Sequence, residues 1–279
     1  MASIKIYVCC HRPFPVPETP LLFPIQVGAA LAESRFEGYL HDDTGDNISA
    51  LNRQYCELTA LYWAWKNDDA DWYGLFHYRR YLLPARNRRR PYIMAGMPTD
   101  RLIRRLGFDD FAALVEPYDM IVPKSEEMYV SVREQYASAP FQRYSDLETL
   151  EQIIKEKYPE YVPAAEEYLG GTAHYFGNIA VMRREVFNDY CAWLFSILGE
   201  FDRRTDLSDR SVQELRVDGY LAERLLGVYY TKHRGELRTL ELPRVHFEEN
   251  AKKLLVKRVE LLVLPAGSRL RAIVKKKLR

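Results

Sequence analysis

A short apolar strand that ends in a cationic, aromatic cluster is the part of this sequence best suited to chemistry. Residues 73–81 read YGLFHYRRY, so an apolar run stops at His77 and continues into Arg79 and Arg80. Ligands of open α/β sheets bind at the carboxyl ends of the strands, and guanidinium groups grip phosphate oxygens in a planar fork. The cluster predicts contact with a phosphorylated ligand. The alternative is a sheet edge protected by charges.

An acidic turn over residues 42–47 is the second candidate site. Its sequence, DDTGDN, could hold Mg²⁺ or Mn²⁺, or accept hydrogen bonds from sugar hydroxyls. An ordinary turn is the alternative, because Asp, Gly and Asn all favour turns. An EF-hand loop is excluded, since the twelfth position is Arg53 instead of Glu.

Two later segments combine polar groups with positions suited to a sugar. His174 and Asn178 flank a Tyr-Phe-Gly stretch, in which Gly177 permits close approach of the backbone to a ligand; a strand bulge is the alternative. Asp218 and Glu223 could remove a proton from an acceptor hydroxyl within hydrogen-bond reach. Alternatively, Asp218 caps a helix and Glu223 lies on its surface.

Several large enzyme classes are disfavoured by missing motifs. The chain contains no G-x-x-x-x-G-K-[ST], G-x-G-x-x-G, G-x-S-x-G or H-E-x-x-H pattern. P-loop kinases, Rossmann dehydrogenases, serine hydrolases and zincins are therefore not expected.

The elements that must position these residues alternate as in α/β folds. Apolar runs predict strands over 4–8, 72–76, 118–123 and 173–182, and a proline-rich loop over 11–24. Apolar periodicity predicts helices over 52–67, 99–111, 145–158, 184–198 and 218–230. Ser145 and Glu148 have the spacing of a capping box. The carboxylate of Glu57 lies near the start of its helix, where the helix dipole would stabilise its negative charge.

Charge is distributed unevenly along the 279 residues. The whole chain carries +1, but residues 251–279 hold ten Lys or Arg and one Glu, which leaves the first 250 residues at −8. We therefore predict one catalytic domain over 1–250 and a basic tail over 251–279. The acidic body and the lack of a known module argue against a nucleic-acid partner, although residues 86–90 and the tail are basic.

The four cysteines and the N-terminus predict a cytoplasmic protein. Cys9, Cys10, Cys56 and Cys191 have neither metal-ligand spacing nor the pattern of a disulfide framework, so we expect buried free thiols in a reducing compartment. No signal-peptide pattern and no membrane-spanning apolar run are present.

The end of the tail predicts a membrane-surface helix. Leu270, Ile273, Val274 and Leu278 fall on one helical face, and basic residues fill the rest. Such a helix binds the anionic inner leaflet of the plasma membrane peripherally. A solvated or frayed terminus is the alternative.

Five segments together resemble one bacterial family. They are PIQV (24–27), DDTGDNIS (42–49), YCELTALYWAWKN (55–67), HYRRY (77–81) and GYLAERLL (219–226). They are similar to the family named domain of unknown function 4422, whose members occur in capsular polysaccharide, exopolysaccharide and lipopolysaccharide gene clusters and are usually described as glycosyltransferases. The resemblance covers about residues 4–230.

The resemblance implies a GT-A-like (Rossmann-like) fold, a mixed sheet flanked by helices, and a UDP-sugar donor. Many GT-A enzymes hold a divalent metal through an Asp-x-Asp motif after the fourth strand. Here HYRR stands at that place, so a Mg²⁺ or Mn²⁺ cofactor and metal independence are both open. If a metal is bound, His77 or Asp43 are the candidate ligands.

The resulting expectation is a hexosyltransferase that moves galactose, in pyranose or furanose form, from a UDP-sugar to a lipid-linked surface-polysaccharide or lipopolysaccharide acceptor. A non-catalytic glycan-binding or assembly module with a degenerate site is the alternative. The predicted catalytic residues are Asp218, Glu223 and His77. The predicted substrate-binding residues are Asp42, Asp43, Asp46, Asn47, Asn52, Glu57, Arg79, Arg80, His174 and Asn178.

Overall fold

Strands and helices alternate along the chain in this computed structural model, which describes residues 2–277 without the side chains of 275–277. The strands are β1 (Ile4–Cys10), β2 (Leu22–Gln26), β3 (Leu40–His41), β4 (Trp72–His77), β5 (Arg80–Leu82), β6 (Tyr92–Ala95), β7 (Met120–Pro123), β8 (Glu126–Glu127), β9 (Ala173–His174), β10 (Ala180–Arg183), β11 (Thr239–Leu242) and β12 (Arg244–Phe247). The helices are α1 (Asn52–Tyr55), α2 (Leu58–Asn67), α3 (Asp100–Arg105), α4 (Phe111–Val115), α5 (Val132–Ser138), α6 (Tyr144–Lys157), α7 (Val162–Gly170), α8 (Arg184–Arg204), α9 (Val217–His233), α10 (Ala251–Val263) and α11 (Arg269–Lys277).

A mixed central sheet organises the molecule and confirms the predicted fold class. Its order is β3-β2-β1-β4-β10-β7-β11, and every neighbouring pair is parallel except those that include β10. From β4 the sheet continues into a side sheet, defined here as β5, β12 and β6, with β12 in the middle. No helix among the described residues is long and apolar enough to cross a membrane.

Two apolar cores cover the two faces of the central sheet. Side chains alternate along β1, so Tyr7 enters one core and Ile6 the other. The first core is shared with α2, α6, α7, α8 and α9, and the second with α3, α4 and the side sheet. Each fully buried Leu or Ile in these cores contributes about 2 kcal/mol to stability. This packing fixes the edge at which β1 and β4 end.

The helix predicted over 52–67 is broken in two, which corrects that prediction. Cys56 has φ 53° and ψ −127°, a conformation that ends α1 before α2 begins. Tertiary contacts hold the break: the Asn52 side chain donates to the Cys56 carbonyl (2.7 Å), and the Arg216 Nε lies 3.3 Å from the Cys56 Sγ. The local sequence favours a continuous helix, and these distant partners override it.

Other boundaries also differ from the sequence predictions. The predicted capping box at Ser145 is wrong, because α6 begins at Tyr144 and the capping box lies instead at Ser131 and Glu134 on α5. The strand predicted over 173–182 is divided into β9 and β10, since Gly177 adopts φ 81°. The helix predicted over 99–111 ends at Arg105, because the backbone of Gly107, two residues later, has a left-handed conformation.

Pro24 lies inside β2, whereas the sequence predicted a loop there. Backbone groups of alternate residues in a strand point to the same side. The nitrogen of Pro24 therefore points to the same side as the backbone of Gln26, which faces β3. The strand β3 is only two residues long and pairs with Ile25 and Gln26 alone. Pro24 therefore interrupts no ladder hydrogen bond.

Candidate active site

Three strands bring their polar ends to one edge of the central sheet. The parallel pairing of Cys9 with His77 places His11 and His77 at that edge, with ring centroids 6.4 Å apart. The strand β10 runs antiparallel to β4, and Ala180 pairs with Leu75. Asn178, just before β10, therefore also lies at the carboxyl end of β4. This shared edge is the candidate active site.

The predicted cationic cluster is present at this edge. The Nδ1 of His77 accepts a hydrogen bond from the Arg79 backbone N–H (3.3 Å). Burial, and then the charges of Arg80 and Arg79, lower the pKa of His77 to about 3, so the imidazole is neutral at pH 7. Arg79 and Arg80 are exposed, and neither guanidinium forms an ion pair within the described part of the chain. They are free to receive an anion.

A pair of carboxylates, Glu57 and Glu223, lies beside the cluster, and both contact the segment of Gly177 and Asn178. The Asn178 Nδ2 donates to the Glu57 Oε1 (2.8 Å) and to the Gly219 carbonyl (3.1 Å). Burial raises the pKa of Glu57 above its ordinary value. Glu223 accepts from the Gly177 N–H (3.0 Å) and from Arg224 (3.0 Å). Glu57 is thus desolvated and accepts from an amide side chain, whereas Glu223 accepts from a backbone N–H and a guanidinium.

The break at Cys56 positions Glu57 in this group. Gly219, in the first turn of α9, lets Cys56 approach closely, because a Cβ there would lie 3.2 Å from its Sγ. Arg216, the residue just before α9, also contacts Cys56 through its guanidinium. A positive φ at a non-glycine residue costs about 1–3 kcal/mol and is concentrated at functional sites. The backbone here is thus held in an unfavourable state next to the candidate carboxylate.

The acidic turn over 42–47 lies on the β2–β3 side of the sheet and is engaged in hydrogen bonds within the chain. Asp42 is fully buried and accepts from the N–H groups of Gly28 (2.8 Å) and Ala29 (2.9 Å) and from two hydroxyls. Those hydroxyls belong to Ser49 and Thr59, and the Asn52 side chain donates to Thr59 (3.1 Å). Asp42 and Asn52 are thus linked through Thr59, and Asn52 in turn holds the backbone of Cys56.

The remaining residues of the turn are closer to solvent. Asp43 forms an ion pair with Arg35, which lowers the pKa of Asp43. Asp46 accepts from the Tyr62 hydroxyl (3.2 Å), and the Asn47 side chain bonds the backbone at Gly45 and Ser49. Donor binding by this turn stays a prediction.

Two predicted residues do not reach the edge. Asp218 is fully buried beside Asp202, and burial together with the Asp202 charge raises the pKa of Asp218 far above its ordinary value. It is also not the helix cap, since Arg216 has that position. His174 is buried, and its Nε2 is bonded to the Val130 carbonyl (3.0 Å). Both side chains are placed to support the fold.

Sequence reasoning missed His11, Arg216 and Arg244. Arg244 is buried, pairs with Glu126 and donates to the Phe176 carbonyl (2.9 Å), so it anchors the loop that carries Asn178. The signal for His11 was its place directly after the first strand, near the end of β4 that carries His77. Arg216 and Arg244 had no local signal, because only tertiary contacts bring them here.

The end of β4 does not fit a divalent cation. A metal there would meet two guanidinium groups and the imidazoles of His77 and His11, whereas Mg²⁺ and Ca²⁺ prefer oxygen ligands. Among the described residues, no group of three or more His, Cys, Asp and Glu is placed to hold a metal ion.

Comparisons with known proteins identify the family and the fold of the chain. The sequence model of a family described as a domain of unknown function (DUF4422) matches residues 5–234. The fold is similar to that of the WbbM bifunctional glycosyltransferase in its apo structure, with a TM-score of 0.83 and 32% identity. The match covers 88% of this chain but 46% of WbbM, so the chain spans about half of that protein. No curated protein matches the chain.

Proposed function

The chain belongs to the DUF4422 family, and from that premise we propose that it is a glycosyltransferase. It would move a hexose, such as galactopyranose or galactofuranose, from a UDP-sugar to a surface-polysaccharide or lipopolysaccharide acceptor. The observation that carries this proposal is the similarity to WbbM over 88% of the chain. Arg79 and Arg80, which form no ion pair among the described residues, support it, because they lie at the carboxyl edge of β4, where sheets of this type bind ligands, and guanidinium groups bind phosphate.

In this proposal Arg79 and Arg80 stabilise the departing diphosphate. They replace the electrostatic role that a metal has in other enzymes, and the reaction is independent of Mg²⁺ and Mn²⁺. The acidic turn would contact the uridine ribose or the sugar through Asp43, Asp46 and Asn47, while Asp42 and Asn52 hold that turn in place. His77 would stay neutral and order the backbone at Arg79.

Glu57 is the proton acceptor that the site supports best. In an inverting displacement the acceptor oxygen forms a bond to the anomeric carbon, the bond to UDP breaks, and the hydroxyl proton passes to a carboxylate. A raised pKa brings Glu57 closer to the working range of a general base. Glu223 instead orients the Gly177 backbone, since its oxygens accept from Gly177 and Arg224.

The proposal also places the protein at the inner face of the plasma membrane, where lipid-linked acceptors lie. The support comes from α10 and α11, which expose seven large apolar side chains among basic residues: Leu255, Val256, Val259, Leu262, Val263, Leu270 and Ile273. Of the apolar face predicted from the sequence, Leu278 lies outside the described residues. A surface of this kind suits an anionic bilayer.

Calorimetric titration with UDP, with and without Mn²⁺, tests the donor site. We expect binding that does not depend on Mn²⁺. Arg79→Ala and Arg80→Ala should each weaken it about tenfold or more, because each removes a charge-assisted hydrogen bond. Arg88→Ala, in the exposed loop after β5, is the matched control and should bind UDP normally.

Hydrolysis of UDP-sugars without acceptor separates an enzyme from a glycan-binding module. We expect slow hydrolysis that Arg79→Ala abolishes. If no UDP-sugar binds under any condition, the donor assignment is wrong. If donors bind but are neither hydrolysed nor transferred, the module is the better description.

A further inference from the structure

A cavity of about 330 Å³ lies between the side sheet and the helices α10 and α11. Its floor is the outer face of the side sheet, where His246 on β12 stands opposite Arg80 on β5 and Met94 on β6. Its roof is formed by α10 and α11, through Lys257 and Arg271 among others. The cavity therefore begins at Arg80 and extends away from β1 and β2.

The lining of the cavity has an excess of positive charge. Lys257 is paired with Glu248, and Arg271 with Glu260 (2.9 Å), so these two cations are balanced. Arg79 and Arg80 line the same cavity without a carboxylate partner in the described part of the chain. An entering anion would neutralise part of this charge, which the described residues leave uncompensated.

His246 supplies a second, independent indication of a ligand. Its ring is stacked on Tyr92, with centroids 4.5 Å apart and an interplanar angle of 6°. Its Nε2 is buried and has no hydrogen-bond partner among the described residues. A buried polar atom without a partner costs about 1–3 kcal/mol. Burial and the nearby cations lower the pKa of His246, so the imidazole is neutral.

We propose that this cavity is a second anion-binding site, which takes the phosphate or diphosphate group of a phosphorylated acceptor or of its lipid carrier. The donor diphosphate would contact Arg79 and Arg80 from the side of His77, and the second anion would contact Arg80 from the side of His246. None of the residues that line the cavity comes from β1, β2 or β3, which border the donor side. The inference rests on the proposed function, since it assigns the substrate of the same enzyme.

The position of α10 explains how a lipid carrier would reach the cavity. Lys257 and Leu261 face the cavity, whereas Leu255, Val259 and Leu262 are exposed on the opposite side. With Val256 and Val263, these three residues are the five exposed large apolar positions of α10, and at 100° per residue they span about 120° of the helix surface. One helix diameter, about 10–12 Å, thus separates the cavity from the apolar face. A head group at the bilayer surface would lie close to the cavity.

Calorimetric titration of inorganic pyrophosphate into the full chain saturated with UDP tests the second site. We expect one pyrophosphate to bind. His246→Phe keeps the stacking on Tyr92 but removes Nε2, and should weaken pyrophosphate binding about tenfold or more. His246→Gln, which keeps a polar group, should restore part of it. Lys252→Ala, on α10 but outside the cavity, should bind as the wild type does.

Vesicle binding distinguishes the two sources of the phosphate group. Phosphatidylcholine vesicles that contain phosphatidic acid present a phosphomonoester, and matched vesicles with phosphatidylglycerol present a phosphodiester. A preference for phosphatidic acid that His246→Phe removes supports a lipid carrier. Pyrophosphate binding without that preference supports a soluble phosphorylated acceptor.

Two results would overturn the inference. One is UDP binding with no pyrophosphate binding and no phosphatidic acid preference; the other is a His246→Phe variant that melts at the wild-type temperature and still binds pyrophosphate normally. A protein that binds no UDP disproves the donor proposal instead. In that case pyrophosphate binding that depends on His246 would still identify the cavity as an anion site.

Discussion

The carboxylates of Glu57 and Glu223 show how local surroundings separate the roles of two similar side chains. Both lie near Asn178, and burial raises the pKa of Glu57. The Glu223 oxygens are held by the Gly177 N–H and the Arg224 guanidinium. A carboxylate that orients other groups must stay charged, whereas a general base gains from a pKa near the working pH. The geometry therefore favours Glu57 for the chemical step.

Replacing Glu57 with Gln tests this assignment. The change keeps the shape but removes the proton acceptor, so we expect kcat to fall about 10²- to 10⁴-fold while UDP affinity is retained. In the wild type, activity should be lost as the pH falls through the raised pKa of Glu57, because the protonated carboxyl cannot accept a proton. Steady-state rates across the pH range measure both effects.

The matched control is Glu116→Gln, an exposed carboxylate far along the chain. This variant should have the kcat of the wild type and should lose activity at low pH in the same way. A Glu57→Gln enzyme with normal kcat would show that the proton is taken by another group, and Glu223 would then be the next candidate.

The break between α1 and α2 is held by an unfavourable backbone conformation at Cys56. We predict that Cys56→Gly unfolds with a free energy about 1 kcal/mol higher than that of Cys56→Ala, because only glycine adopts a positive φ without steric cost. Both variants lose the Sγ contact with Arg216, so the comparison isolates the backbone. Urea denaturation measures the difference. Equal stabilities would mean that the conformation at Cys56 is not strained.

A buried pair of aspartates joins α1, α8 and α9. Asp218 lies in the first turn of α9 and Asp202 in the last turn of α8, and Tyr55 on α1 donates to Asp202 (2.6 Å). Burial raises the pKa of both carboxyls. The charge of Asp202 raises the pKa of Asp218 further, whereas hydrogen bonds from Tyr55 and Gln54 oppose the rise at Asp202. Asp146 on α6 also faces Asp218 and is balanced by Arg210. The pair is therefore most stable when it holds a proton.

Asp218→Asn should raise stability at neutral pH. The folded protein binds more protons than the unfolded chain between the ordinary pKa of Asp and the raised value, so the wild type loses stability as the pH rises through that window. Each unit of elevation costs about 1.4 kcal/mol at a pH above the folded pKa. The variant lacks this ionisation and should show a weaker pH dependence. Thermal unfolding of both proteins across the pH range measures it.

A variant that is less stable than the wild type at neutral pH would contradict the raised pKa of Asp218. Glu37→Gln, an exposed carboxylate in a loop, is the control and should follow the wild-type profile.

The strands of the central sheet could be predicted because burial on both faces leaves a continuous apolar run. The runs that became β1, β4 and β7 are of this kind, and they located His77 and its arginines at a strand end. Contacts between distant segments could not be predicted. Glu57 and Asn178 are 121 residues apart, and the break at Cys56 depends on Arg216. The sequence pointed to residues of both halves of the site, including Glu57, Glu223 and Asn178, but it did not show that these three lie together.

At the scale of the whole molecule, charge and apolar surface are concentrated in the same segment. Residues 251–279 carry +9 against a body of −8. The sequence suggested residues 268–279 as the membrane contact, but the larger exposed apolar face lies on α10. The basic residues would attract an anionic leaflet, and the apolar face would enter it. The acidic body would then be directed away from the same surface.

Substitutions on α10 test whether this face binds a bilayer. Leu255→Glu or Leu262→Glu should weaken sedimentation with anionic liposomes about tenfold or more, since each removes an exposed leucine that would enter the bilayer and adds a negative charge. Removing residues 268–279 should weaken binding mainly at low salt, because it deletes basic residues whose attraction is screened by ions. Val212→Glu is the matched control, because Val212 is 76% exposed but lies outside the tail. Liposome binding that survives both leucine substitutions, or falls equally with Val212→Glu, would show that α10 is not the contact surface.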